Sequence, residues 1–135
     1  MTPSASVVIR AYNEQKHLGR LLDGLRQQTC RDLQVILVDS GSTDATVDLA
    51  QQAGAEVVRI RPQEFTFGRS LNAGLALARA ELVVVASAHV YPVYPDWLER
   101  LLEPFAGSRV GSPCSLQSPT PAPSLPVCSG FLRPR

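Results

Sequence analysis

Apolar and polar positions follow two different periods along the first hundred residues. Short runs without polar interruption, Val7-Val8-Ile9, Val35-Ile36-Leu37-Val38 and Leu82-Val83-Val84-Val85, alternate with stretches in which apolar residues return every three or four positions. Runs this short cannot cross a membrane, and they are too continuous for strands with one wet face. Each is therefore read as a central parallel strand covered on both sides. The predicted strands are Ala5–Ala11, Leu33–Val38, Glu56–Ile60 and Glu81–Ala86. Leu18, Leu21, Leu22 and Leu25 fall at i, i+3, i+4 and i+7, which predicts an amphipathic helix from an N-cap at Asn13 to about Gln28. A second helix, Thr43–Gln52, takes Ser42 or Thr43 as its cap, stops at Gly54, and carries Val47, Ala50 and Ala53 on one face. A third is expected from about Arg69 to Arg79, with Leu71, Leu75 and Ala78 toward the sheet. Pro95 can open a fourth, whose apolar face is Leu98, Leu101, Leu102 and Phe105. Repetition of one strand-helix unit predicts a doubly wound, mostly parallel α/β sheet with right-handed crossovers.

The pattern stops at Gly107. From there to Arg135 the chain holds more than half of its 11 prolines and no acidic residue. Such a segment lacks apolar periodicity and is expected to be a disordered Pro/Ser-rich tail, so the predicted organisation is one domain over 1–106 and a tail over 107–135. With 44% hydrophobic and 19% charged residues the 135-residue chain is expected to be a soluble protein with a buried core. A net charge of +1, with arginines scattered singly, gives no field for nucleic acid. Cys30, Cys114 and Cys128 are odd in number and widely spaced, which argues against a disulfide framework or a zinc site and for a reducing, cytoplasmic setting. Neither a signal peptide nor a membrane span is read from the sequence.

Candidate chemistry gathers where the predicted strands end. Tyr12, Asn13 and Glu14 follow the first, Asp39, Ser40, Gly41 and Ser42 the second, and Ser87 and His89 the fourth. Open α/β sheets bind ligands outside the carboxyl ends of their strands, and a carboxylate beside free backbone N–H groups suits the hydroxyls, base edges and phosphates of a nucleotide. A dehydrogenase-type reading is weakened because no G-x-G-x-x-G follows the first strand. A phosphoacceptor receiver is weaker still, for want of an acidic pair at that place.

SVVIRAYNE, VILVDSGSTDAT and the F-x-x-G-R-S-L-N-A-G stretch from Phe65 to Gly74 resemble the family 2 glycosyltransferases, over about residues 5 to 105. The resemblance looks closest to bacterial rhamnosyltransferase-like members. It implies the GT-A fold, a Rossmann-like half that binds a nucleoside-diphosphate sugar, and transfer to an acceptor with inversion. It implies that Ala11, Tyr12, Asn13 and Glu14 line the base and ribose pocket, with Ser40 and Gly41 in the same nucleotide-binding set. It further implies that Asp39 binds the base and that Arg69 closes over it, and Asn72 matches the same motif. Two departures stand out. The Asp-x-Asp that holds a divalent cation in the family is Ser87-Ala88-His89 here. Mg2+ prefers carboxylate oxygen and Mn2+ also accepts imidazole, so His89 is a candidate metal ligand, a hydrogen-bond donor to phosphate, or a structural histidine. The family's general base comes from the acceptor-binding half, and no carboxylate follows Glu103. The expectation is a truncated or frame-altered form of a longer enzyme, with catalytic residues unassigned. An alternative is a nucleotide-sugar-binding fragment without turnover. The acceptor, a sugar or lipid-linked glycan, is not legible, and peripheral contact with the inner membrane face is an expectation only.

Overall fold

The computed structural model describes residues 3–105, together with the backbone of 127–129 and 133–134. The strands are β1 (Ala5–Ala11), β2 (Leu33–Asp39), β3 (Glu56–Arg59), β4 (Val83–Ser87), β5 (Val90–Tyr91), β6 (Val127–Ser129) and β7 (Arg133–Pro134). The helices are α1 (Gln15–Arg26), α2 (Thr46–Gln52), α3 (Phe67–Leu77) and α4 (Trp97–Leu102), with short 3-10 turns at Pro62–Glu64 and Glu103–Phe105. The main sheet runs β3-β2-β1-β4-β6 and is parallel throughout. β5 pairs antiparallel with β7. The predicted tail, 107–135, lies outside the described residues apart from those two strand segments.

Both faces of the sheet are covered, as the uninterrupted apolar runs require. Val7, Ile9, Ala11 and Leu37 pack with Leu18, Leu21, Leu22 and Leu25 of α1, Ala50 of α2 and Leu98 of α4. Val8, Ile36, Val38 and Val83 turn the other way and meet Leu71 and Leu75 of α3. Each fully buried leucine or isoleucine contributes about 1.5–3 kcal/mol relative to exposure, so this two-sided core accounts for the alternation of strand and helix along the chain. The face assigned to α3 agrees with the predicted Leu71, Leu75 and Ala78.

The helix starts differ from those predicted. Asn13 is not a cap: α1 is preceded by Glu14, and Asn13 sits at φ 50 with its side chain turned to the next loop. Ser42 and Thr43 do not cap α2, which begins at Thr46, because their hydrogen-bonding groups are engaged by Asn13. α3 begins two residues early, at Phe67, because Thr66 accepts the Arg69 N–H at 3.0 Å. His17, on α1, is half-buried. Two buried glutamines, invisible to periodicity, join the layers. Gln28 accepts the Leu98 N–H and donates to the Gly24 and Tyr94 carbonyls, tying the end of α1 to α4. Gln34 accepts from the Ser6 hydroxyl and the Arg79 N–H and donates to Glu56 and the Leu77 carbonyl, fixing the α3-β4 connection.

Candidate functional site

The strand order reverses direction at β1, with β2 and β3 on one side and β4 on the other, so the crevice above β1 is the topological switch point. Register places Ala11 beside Asp39 and Arg10 beside Ser87. The segments that leave β1, β2 and β4 therefore share one edge.

On the β2 side, Asp39 is 2% exposed and carries its own turn. Its carboxylate accepts the Gly41 N–H at 3.2 Å and the Ser42 N–H at 3.1 Å. Gly41 has φ +96, and a Cβ there would lie 2.6 Å from Pro62 Cγ, so no side chain fits. Ser40 is buried and donates its N–H to the Ala11 carbonyl. A cleft of about 480 Å³ opens in front of this turn, lined by Asp39, Gly41 and Ser42, by Asp44, Val47 and Asp48 from α2 and its approach, and by Arg59 at the end of β3 with Ile60 and Arg61 beyond it. Ile60 is held there by its N–H to the Asp39 carbonyl, 2.8 Å. Three carboxylates and two guanidinium groups offer acceptors and donors to the polar edge of a base and to hydroxyls. Asp44 holds a proton less readily than an ordinary aspartate. The Thr46 hydroxyl bonded to it is the main cause, joined by the Thr46 and Gln15 N–H groups.

The loops after β1 and β2 are stapled together. Asn13 N–H donates to Ser42 Oγ at 2.8 Å, Thr43 N–H to Asn13 Oδ1 at 2.8 Å, and Glu14 N–H to Thr46 Oγ1 at 2.9 Å. Ala45 N–H reaches Gln15 Oε1 at 3.1 Å. Asn13 thus shapes the edge by joining its two loops, while Tyr12 stands out at 58% exposure.

On the β4 side, the exposed His89 ring has Nδ1 3.7 Å from Glu14 Oε1 and lies 3.2–3.3 Å from Ser87 Oγ. Glu14, from the loop after β1, and Ser87-His89, from the end of β4, thus meet across the switch point. Among the described residues no three His, Cys, Asp or Glu side chains stand close enough to hold a metal ion. One imidazole, one carboxylate and one hydroxyl fall short of the oxygen-rich shell that Mg2+ takes, and these residues do not by themselves fit a resident cation.

The predicted residues therefore separate. Asp39 and Gly41 line the cleft with Ser40 behind them, Ala11 is buried beneath the edge, and Glu14, Ser87 and His89 cluster over β1 and β4. Arg69 lies on the first turn of α3 with its guanidinium 3.5 Å from the Glu64 carbonyl, and Asn72 is exposed on the same helix; neither lines the cleft. Sequence reading missed Asp44, Asp48, Arg59 and Arg61. The signal for the arginines was available, since Arg59 ends β3 and Arg61 follows it at the same edge.

A parallel doubly wound sheet with polar loops converging on a switch-point crevice is the architecture of the open α/β proteins that bind ligands at that edge. Residues 6–115 match the family described as Glycosyl transferase family 2. The chain belongs to that family. It is 29% identical over 119 residues to the O-antigen chain rhamnosyltransferase WbaN of Salmonella anatum, covering 87% of this chain and 38% of that one. Among solved structures it resembles the mannosyltransferase PcManGT of Pyrobaculum calidifontis in complex with GDP-Man and Mn2+, with TM-score 0.70, 25% identity, and coverage of 82% of this chain and 34% of that one. It also resembles glucosyl-3-phosphoglycerate synthase of Mycobacterium tuberculosis in complex with Mn2+, UDP and glucosyl-3-phosphoglycerate, with TM-score 0.64, 27% identity, and coverage of 76% and 39%. The fold is thus the GT-A type expected. The chain spans about a third of the length of the curated relatives it matches. Among the described residues no helix is long and apolar enough to cross a membrane.

Proposed function

We propose that the carboxyl edge of the sheet binds a nucleoside-diphosphate sugar, and that this domain is the donor-binding part of an inverting glycosyltransferase. The observation that carries this is the buried Asp39, placed at the mouth of a cleft about 480 Å³ in volume on a family 2 chain. In this reading the base and ribose enter the cleft between Asp39 and the Arg59-Arg61 segment. The diphosphate then crosses the switch point toward Ser87 and His89, on the β4 side of β1. Asn13 holds the two loops in place.

In such a transfer the acceptor hydroxyl attacks the anomeric carbon, its proton passes to a base, and the nucleoside diphosphate leaves from the opposite face. This chain's contribution is to hold the donor and to place donors of hydrogen bonds where negative charge grows on the leaving diphosphate. A second reading, in which the chain by itself binds the donor without transferring sugar, rests on its spanning about a third of the length of those relatives. The Mn2+ named for both solved neighbours supports a divalent cation in those enzymes. Here a cation would need the donor's own diphosphate oxygens to complete its shell.

Calorimetric titration of the chain with UDP and with GDP tests the reading. Binding of at least one is expected, with Asp39→Asn weakening it about tenfold or more, as loss of a charged hydrogen-bond partner does. Failure of both nucleotides to bind overturns it. Sugar release from UDP-glucose or GDP-mannose by the bound chain then separates the enzyme from the fragment.

A further inference from the structure

The side chains that meet across the switch point are a basic one and an acidic one, where two acids are needed to hold a hard cation. His89 is 58% exposed and faces the edge, so its ring is free to reach a ligand, while Glu14 is only 23% exposed and approaches from beneath the opposite loop. The Glu14 backbone is pinned by its N–H to Thr46 Oγ1, so its carboxylate sits on a fixed anchor. Ser87 Oγ touches the same ring at 3.2 Å from the end of β4. The Ser87 hydroxyl can donate to Nδ1, which leaves the ring's N–H on Nε2, turned outward to an anion. No third acidic, histidine or cysteine side chain joins them among the described residues.

We propose, resting on the donor-binding reading above, that this site grips the diphosphate without a divalent cation, and that His89 is the direct hydrogen-bond donor to it, oriented by Glu14 and Ser87. An imidazole in this place supplies an N–H donor to an anion that a cation neutralises in a carboxylate-built site. Glu14 is a positioning residue: it fixes the ring and does not touch the phosphate.

The test is titration calorimetry of UDP and GDP into the chain, once with excess Mn2+ and once with EDTA, for the native protein and for His89→Ala, His89→Asp and Glu14→Gln. Native affinity is expected to change less than about threefold between the two conditions. His89→Ala is expected to lower it about tenfold in both, and Glu14→Gln by a smaller factor. His89→Asp is expected to bind poorly in EDTA and to recover at least about tenfold with Mn2+, since a second carboxylate then stands beside Glu14. His89 is exposed, so these variants should fold, and unchanged far-UV circular dichroism checks it. Native binding that is lost about tenfold or more in EDTA overturns the cation-free site while leaving the donor-binding reading intact. Absence of binding under both conditions overturns both. Equal binding by native protein and His89→Ala removes His89 from the diphosphate.

Discussion

At the residue scale the site depends on buried polar groups with two duties. Asp39 both faces the cleft and ties down the Gly41 and Ser42 N–H groups. Asp39→Ala leaves those donors without their partner, and a loss of about 1–3 kcal/mol is expected in urea unfolding, whereas Asp39→Asn keeps an acceptor and loses less. Stability and nucleotide affinity should therefore separate in the Asn variant and not in the Ala variant. Asp44 adds a pH dependence. Its carboxyl is held below its ordinary value of 3.8, chiefly by the Thr46 hydroxyl, so the charged form favours the folded state. That contribution is present above the unfolded-chain value and is lost as pH falls through the lower folded value. The urea midpoint of the native protein should exceed that of Asp44→Asn at neutral pH, with the gap closing in acid. Two glycines mark the limits of packing. A Cβ at Gly74 would overlap Val8 Cγ1 in the core beneath α3, whereas Gly19 on α1 has open space around it. Gly74→Ala should cost about 1–3 kcal/mol through overpacking. Gly19→Ala should gain about 0.5–1 kcal/mol from helix propensity, read from thermal midpoints.

At the element scale, the connections rather than the helices decide geometry. α1 and α2 start without side-chain caps because the polar residues at their starts are spent on stapling the loops after β1 and β2 to each other. This gives the crevice two walls that move as one. α4, only six residues long, is held through Gln28, which is 1% exposed and bonded at both ends of its amide. Replacing it by leucine keeps volume and removes every bond. Gln28→Leu should therefore destabilise by about 1–3 kcal/mol and raise amide exchange at Leu98 before the strands. Uniform exchange across the whole domain would show that α4 is not held separately by this side chain.

At the scale of the whole molecule, the sequence by itself determined the sheet. Continuous apolar runs admit only strands covered on both faces, and the leucine spacing of α1 admits only a helix laid against them. β1 was read to the residue, and the order of the four main strands and four helices through α4 followed, with β5 missed, because burial acts on every position of those segments. The motifs also pointed to a family 2 glycosyltransferase, which the family match over 6–115 shows. Helix starts were less legible, since a cap competes with long-range partners: Asn13 and Thr43 are 30 positions apart in the chain and 2.8 Å apart in space. The division of the edge into a cleft over β2 and β3 and a His89-Glu14 pair over β1 and β4 was decided by tertiary structure alone. Strand order and register are set by packing between elements distant in sequence, and only they bring Arg59 to Asp39 and Ser87 to Arg10. Periodicity records which face of an element is buried, whereas the chemistry of this edge depends on which elements become neighbours.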